Sequence, residues 1–297
     1  MEDSCMFRQD LLSCNSVNSN IVKHIPFILF FFGLMIQANA QSIDLISYNI
    51  RFDNPGDAPN HWDNRKDFLI SQLNFYQPDV FGIQEGLIHQ VKEIDNGLKE
   101  YAYFGVGRDH GDERGEHTAV FYNTTTVKLI EQSTFWLSAT PEKPSKGWDA
   151  ALPRTCTYGL FEKREDGTRF MVFNTHFDHV GAQAREESSK LILEKAKELN
   201  TEDDPVVIMG DFNLESDSKG VQVILTAMAD AHIAAGTNAF GPKGTFNGFK
   251  FNEPVERRID YIFVSDDFEV LKSAILSDSR DTRYPSDHLP VFARLAY

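Results

Sequence analysis

Cysteine is nearly absent: three occur in 297 residues, and Cys5 and Cys14 both fall within the first forty. Long apolar runs are also missing. The longest, Ile25–Ile36 (IPFILFFFGLMI), has about a dozen residues, too few to span a bilayer comfortably. It follows Lys23 and His24 and leads to Ala38-Asn39-Ala40, a small-x-small cleavage pattern. Residues 1–40 are therefore expected to be a secretory signal peptide, with the mature chain beginning near Gln41, periplasmic or secreted and without a membrane span; an uncleaved N-terminal anchor is the alternative. Cys156 alone remains after such trimming, which excludes an internal disulfide and leaves stability to the core. It lies in an alternating stretch and reads as a small buried hydrophobe rather than a nucleophile.

Basic charge is scarce as well. Lys and Arg number 29 against 44 acids, a formal charge of −15. Nonspecific binding to long nucleic acid needs cations against phosphates, so this balance argues against a general nuclease on duplex. It leaves room for a small phosphorylated substrate, or a short single-stranded nucleic acid, at a site with a local cation. No fixed-period repeat, low-complexity tract or Pro/Gly/Ser-rich linker interrupts the chain, so residues 41–297 are expected to form one domain and to act as a monomer.

What is present is a mixture of strand and helix patterns. Ile43–Ile50 alternates, Arg65–Tyr76 has helical spacing, Asp79–Gln84 reads as a strand, and Gly86–Lys99 as a helix. Strands are expected at Ala102–Val106, Ala119–Asn123, Val127–Leu137, Arg154–Lys163 and Arg169–Thr175, the last two joined by a tight turn at Asp166-Gly167. Gln183–Leu199 and Gly220–Ala229 read as helices, and Val206–Met209, Ile259–Val264, Glu269–Ile275 and Val291–Leu295 as strands. Such mixing predicts α/β layers, with sheets packed inside and helices outside.

Polar residues gather where apolar strands end. Asn49 closes IDLISYNI, Glu85 follows DVFGIQ, and Asn174, His176 and Asp178 end the Met171 strand. Asp211 and Asn213 close VVIMGDFN, Asp260 opens DYIFV, and Asp287-His288 precede the last strand. Strand ends on one edge of an α/β sheet project ligands from a rigid scaffold. Oxygen donors without thiolates suit Mg²⁺ or Mn²⁺. Each residue alone has a plainer explanation. Asp211 and Asn213 are turn formers, Glu85 is a helix N-terminal acid, His176 and His288 are core histidines, and Asp260 belongs to a surface ion pair. Their joint occurrence at successive strand ends is what favours chemistry.

SYNIR, GIQE, NTHFDH, GDFN, RIDYIF and SDHLPV, in this order, resemble the endonuclease/exonuclease/phosphatase superfamily, which includes deoxyribonuclease I. GEHTAVFYN, FWLS, GWDAALPRTCTY and NTHFDHVGAQAR look most like secreted bacterial relatives of its nocturnin and deadenylase branch. The resemblance implies a four-layer sandwich, two mixed β-sheets face to face with helices on both outer faces. It further implies a metal-dependent phosphoesterase using in-line attack of water, with 3′→5′ exonuclease action on single strands and an inactive binding module as alternatives. By the same resemblance, Glu85, Asn49 and Asp287 belong to the metal site. Asp211 is the base, Asn213 holds water or phosphate, His176 and His288 contact phosphate oxygens, and Asp260 orients His288. Arg114, Arg154 and Arg185 are candidate phosphate contacts, since guanidinium forks match phosphate oxygens. Where some family members carry an acid two residues after the first Asn, this chain has Arg51, with Asp53 a possible substitute donor.

Overall fold

Alternation along the strands decides the layers. In the computed structural model, which describes residues 41–297, β1 (Ser42–Asn49) points Ile43 and Leu45 into one apolar cluster and Ile46 and Tyr48 into another. A strand buried on both faces must lie between layers. The expected signal peptide and its cleavage point lie outside the described residues.

One sheet has seven strands in the order β10 (Ala239–Phe240), β12 (Glu269–Ile275), β13 (Val291–Ala296), β1, β2 (Val80–Gln84), β4 (Val120–Asn123), β3 (Tyr101–Phe104). The other has six, ordered β5 (Val127–Trp136), β6 (Thr155–Lys163), β7 (Arg169–His176), β8 (Val206–Asp211), β11 (Asp260–Val264), β9 (Ala229–Asp230). Both sheets are mixed: β1 runs parallel to β2 but antiparallel to β13, and β7 parallel to β8 but antiparallel to β6. Their inner faces share one core that includes Leu45, Val80, Val172, Val207, Met209, Ile262 and Val291. Helices α1 (Trp62–Tyr76) and α2 (Ile88–Gly97) cover the seven-stranded sheet through Leu69, Leu73, Val91 and Ile94. Helices α3 (Ala182–Leu199) and α4 (Lys219–Ile224) cover the other through Ile192, Val221 and Ile224. A short α5 (Ala231–Ala234) follows β9. The fold is the expected α/β four-layer sandwich.

Two expectations need correction. The helix expected over Gly220–Ala229 stops at Ile224, because Ala229 and Asp230 are drawn off to pair with Val264 and Phe263. Sheet pairing there outweighs the helical spacing. The strand expected over Val206–Met209 continues through Asp211, which pairs with Asp260 on one side and His176 on the other.

Cross-sheet contacts hold the site end together. Asn174 on β7 donates its amide to the Ile83 and Ala119 carbonyls at 2.9 and 3.0 Å and accepts from Gln84 Nε2 at 2.7 Å. Gly82 makes room for it, since a Cβ there would lie 2.4 Å from Asn174 Cγ. Asn174 is thus a clamp between sheets rather than part of the chemistry.

Candidate active site

Parity carries the polar residues to one place. On the inner face, β8 reads Val207, Met209, Asp211; β7 reads Phe170, Val172, Asn174, His176; β11 read backwards is Val264, Ile262, Asp260; β1 ends Leu45, Ser47, Asn49. Each strand passes from apolar to polar at the same end of the inter-sheet core. The register sets His176, Asp211 and Asp260 abreast on three adjacent strands.

GDFN explains itself at this point. Gly210 has φ 149, and a Cβ on it would lie 2.0 Å from the Thr175 carbonyl oxygen, so only glycine lets β7 and β8 approach here. Phe212 turns outward and is fully buried against Phe177, Tyr261 and Phe263, worth about 2–3 kcal/mol of burial. Asn213 adopts φ 49 and donates its backbone N–H to Asp211 Oδ1 at 2.8 Å. The turn is real, and its effect is to hold the Asp211 carboxylate still. The Asn213 side-chain amide donates to the Phe177 carbonyl at 3.1 Å.

Around Asp211, Asn49 Nδ2 bridges the two sheets, donating to Asp211 Oδ2 at 2.9 Å and Glu85 Oε1 at 3.1 Å. Its Oδ1 accepts the Arg51 N–H at 3.0 Å. Asn49, expected as a cation ligand, therefore turns its donor side to the carboxylates and orients them. Glu85 adopts φ 64 just beyond β2, and Oε2 accepts the Phe52 N–H at 3.1 Å. His288 Nδ1 lies 2.9 Å from Asp260 Oδ2, and its Nε2 lies 3.9 Å from Asp211 Oδ2. His176 Nε2 lies 3.5 Å from the same oxygen.

The electrostatics follow. Burial raises the Asp211 carboxyl, Asp260 beside it raises it further, and His288, the Asn213 N–H and Asn49 pull it back, leaving it near 7. Asp287 is raised first by burial and then by Glu85. Burial alone would lower His288, but Asp260, Asp211 and Asp287 hold it well above the usual histidine value. His176 goes the other way, lowered by burial and then by Arg154 and Arg108.

A divalent cation fits this donor set. Ligand atoms of Glu85, His176 and Asp211 lie within 4.8 Å of one another, as do those of Asp211, Asp260 and His288. Among the described residues Asp260 Oδ1 is buried without a hydrogen-bond partner, and burial raises the Asp211 and Asp287 carboxyls, so that a bound cation would favour their ionised forms. Hard oxygens dominate, and Cys156 is buried in the outer core under α3 and α4.

Residues 46–288 match the Endonuclease/Exonuclease/phosphatase family. The chain belongs to this family. An endonuclease/exonuclease/phosphatase family protein from Bacteroides thetaiotaomicron is 38% identical, with a TM-score of 0.83 over 86% of this chain and 95% of that one. A mannosyl-6-phosphatase from the same organism is also 38% identical, with a TM-score of 0.81 over 86% of this chain and all of the other. The human nocturnin catalytic domain, at 20% identity and a TM-score of 0.69 over 86% of this chain and 93% of that one, shares the fold. The family resemblance read from the motifs is therefore correct, with the Bacteroides proteins nearer than nocturnin. The chain spans 60%, 25% and 37% of the lengths of three curated relatives that it matches.

Within this family member, the remaining expected residues divide. Arg154 is buried beside the site. Its Nε lies 3.2 Å from Asp178 Oδ2, and its Nη1 lies 3.1 and 3.2 Å from the two ring nitrogens of His176, a geometry that places it against the ring face. Arg185 donates to the Asp178 carbonyl at 3.0 Å, one loop away. Arg114 is exposed and grips Asp112, and no contact joins it to the other site residues described. Asp53 faces His89 at 3.0 Å instead of substituting for a ligand. Arg51 brings a cation where an acid was absent: its guanidinium grips Asp57 at 2.8 Å and lies 4.0 Å from Glu85 and 3.8 Å from Asp287. Sequence reasoning missed Glu116 and Arg108. Glu116 accepts from Arg108 at 2.5 Å and lies 3.7 Å from His176. The signal was present in GEHTAVF, a polar pair just before a strand.

Proposed function

We propose that the chain is an exported, monomeric, Mg²⁺- or Mn²⁺-dependent phosphoesterase that hydrolyses a small phosphorylated substrate, with a sugar phosphate as first choice. The observation that carries this reading is Asp211: a buried carboxylate fixed by the Asn213 N–H and the Asn49 amide, with ring nitrogens of His176 and His288 3.5 and 3.9 Å from its Oδ2. Glu85 and Asp287 would hold the cation, which when bound neutralises phosphoryl charge and lowers the pKa of water. Asp211 accepts the proton of the attacking water. Protonated His288, held by Asp260, donates to a phosphoryl oxygen, and neutral His176 is available to a second. The 38% identity with a mannosyl-6-phosphatase supports the sugar phosphate, and the scarcity of basic residues weighs against long nucleic acid. Export rests on the apolar run and Ala-Asn-Ala before Gln41.

The test is a panel of sugar phosphates, nucleotides and short oligonucleotides, assayed with Mg²⁺ and in chelator. Metal-dependent phosphate release from a sugar phosphate is expected, lost in Glu85→Gln together with the metal's stabilisation of the fold. Full activity in chelator ends the metal argument, and faster shortening of the oligonucleotides replaces the phosphatase with an exonuclease. N-terminal sequencing of exported protein should begin at Gln41.

A further inference from the structure

A second cluster of positive charge stands outside the site. Arg280 and Arg283 exchange two backbone hydrogen bonds, at 3.0 and 3.1 Å, across a two-residue turn in which Asp281 and Thr282 take φ 53 and 59. Directly opposed residues of such a pair send their side chains to the same face, and like charges placed so repel. Asp281 and Thr282 are also poor choices for two successive left-handed positions, where Asn and Gly are usual. The turn is therefore costly as built.

Among the described residues its two guanidiniums hold no carboxylate and no carbonyl. Every other arginine among the described residues gives its side chain to a carboxylate or a backbone carbonyl. Arg280 and Arg283 do neither, in a chain with 44 acids to 29 bases. Arg280 instead lies over the Phe68 ring at 4.8 Å, which fixes the plane of the fork and leaves its N–H edges open.

Both arginines border a cavity of about 360 Å³, with Asn60, Asn64 and Tyr284 as further polar lining and Asp281 its one carboxylate. The cavity shares a wall with the candidate active site. Pro285 lines it, two residues before Asp287, and buried Arg65, also in the lining, donates to the carbonyls of Pro285, Ile50 and Arg51.

We propose that this cavity is a second anion subsite, taking a phosphate carried by the substrate away from the ester that is cleaved. The inference rests on the phosphoesterase reading above and narrows it to substrates with two phosphate groups. Two matched pairs test it: glucose 1,6-bisphosphate against glucose 6-phosphate, and adenosine 3′,5′-bisphosphate against adenosine 5′-monophosphate. In the wild type, the second phosphate should lower KM about tenfold in at least one pair, as charge-assisted guanidinium contacts do. Arg280→Gln with Arg283→Gln should erase that advantage while leaving kcat and KM for the monophosphates within about twofold, since both side chains are exposed and neither donates a hydrogen bond to the described residues. An equal advantage in the double variant, or none in the wild type with either pair, overturns the subsite. If no ester is cleaved at all, the phosphoesterase reading fails by itself. Calorimetric binding of the same bisphosphates to metal-free wild type and double variant then decides the subsite: tighter binding by the wild type upholds it, and equal binding ends it.

Discussion

His176 ends β7 and His288 lies in the loop before β13, both buried and both within 4 Å of Asp211 Oδ2, yet they are driven in opposite directions. Burial lowers each. His288 is then surrounded by Asp260, Asp211 and Asp287 and stays protonated, whereas His176 meets Arg154 and Arg108 and stays neutral. The site thus has an acidic half and a basic half, divided at the Asp211 carboxylate. Identical side chains acquire different chemistry because burial sets the direction at His176, where the arginines reinforce it, while the carboxylates around His288 reverse it.

The largest break in this comparison should come from the boundary itself. Asp211→Asn removes the proposed proton acceptor and should cost at least about a hundredfold in kcat, the usual loss for a positioned base. Metal-free melting temperature should hold or rise, because one member of a crowded carboxylate group has gone. Near-normal turnover in the folded variant would mean that GDFN is only a turn.

A smaller effect is expected from Asp260→Asn, which takes the counter-charge from His288. Its folded pKa is raised in the wild type, so its contribution to stability is complete below its ordinary value of 6.5 and is lost as pH rises through the raised value. In the variant that loss should begin at lower pH. Melting temperature against pH in chelator reads it directly, and activity should fall about tenfold, with the alkaline limb moved toward neutrality. Superimposable pH curves would show that Asp260 does not set the charge of His288.

The smallest change on activity concerns the basic half. Burial opposes ionisation of Asp178, but the Gly181 and Val180 N–H groups and Arg154 hold its carboxyl well below the usual range. Its contribution to stability is therefore present above its ordinary value of 3.8 and is lost as pH falls toward the depressed one. Asp178→Asn should cost about 2 kcal/mol at neutral pH, less as the wild type is acidified, with kcat changed by less than about tenfold. A loss of activity as large as that of Asp211→Asn would place Asp178 and Arg154 in the chemistry itself.

The rim was readable because its residues obey strand parity. Leu45 to Asn49, Val172 to His176 and Val207 to Asp211 each pass from apolar to polar in steps of two. Phe212, between Asp211 and Asn213, faces the opposite way for the same reason. The end of α4 was not readable, because Ala229 and Asp230 leave it for a strand, Asp260–Val264, some thirty residues further on. Nor was the fate of the arginines. Arg154, Arg185 and Arg114 look alike in sequence, but one lies against His176, one reaches a loop carbonyl and one closes a surface fork.

By itself the sequence determined which residues carry oxygen and nitrogen donors, and that strand geometry would bring each to the end of an apolar face. That follows from a backbone period of two, which needs no partner to operate. Only the tertiary structure decided that Asn49 would turn its amide nitrogen to Asp211 and Glu85, and that Arg51 would stand beside two carboxylates. It also decided which histidine keeps its proton. These depend on side chains from different strands meeting within a few ångströms at low dielectric, where a charge is worth several times what it is worth in water, and no local pattern encodes that meeting.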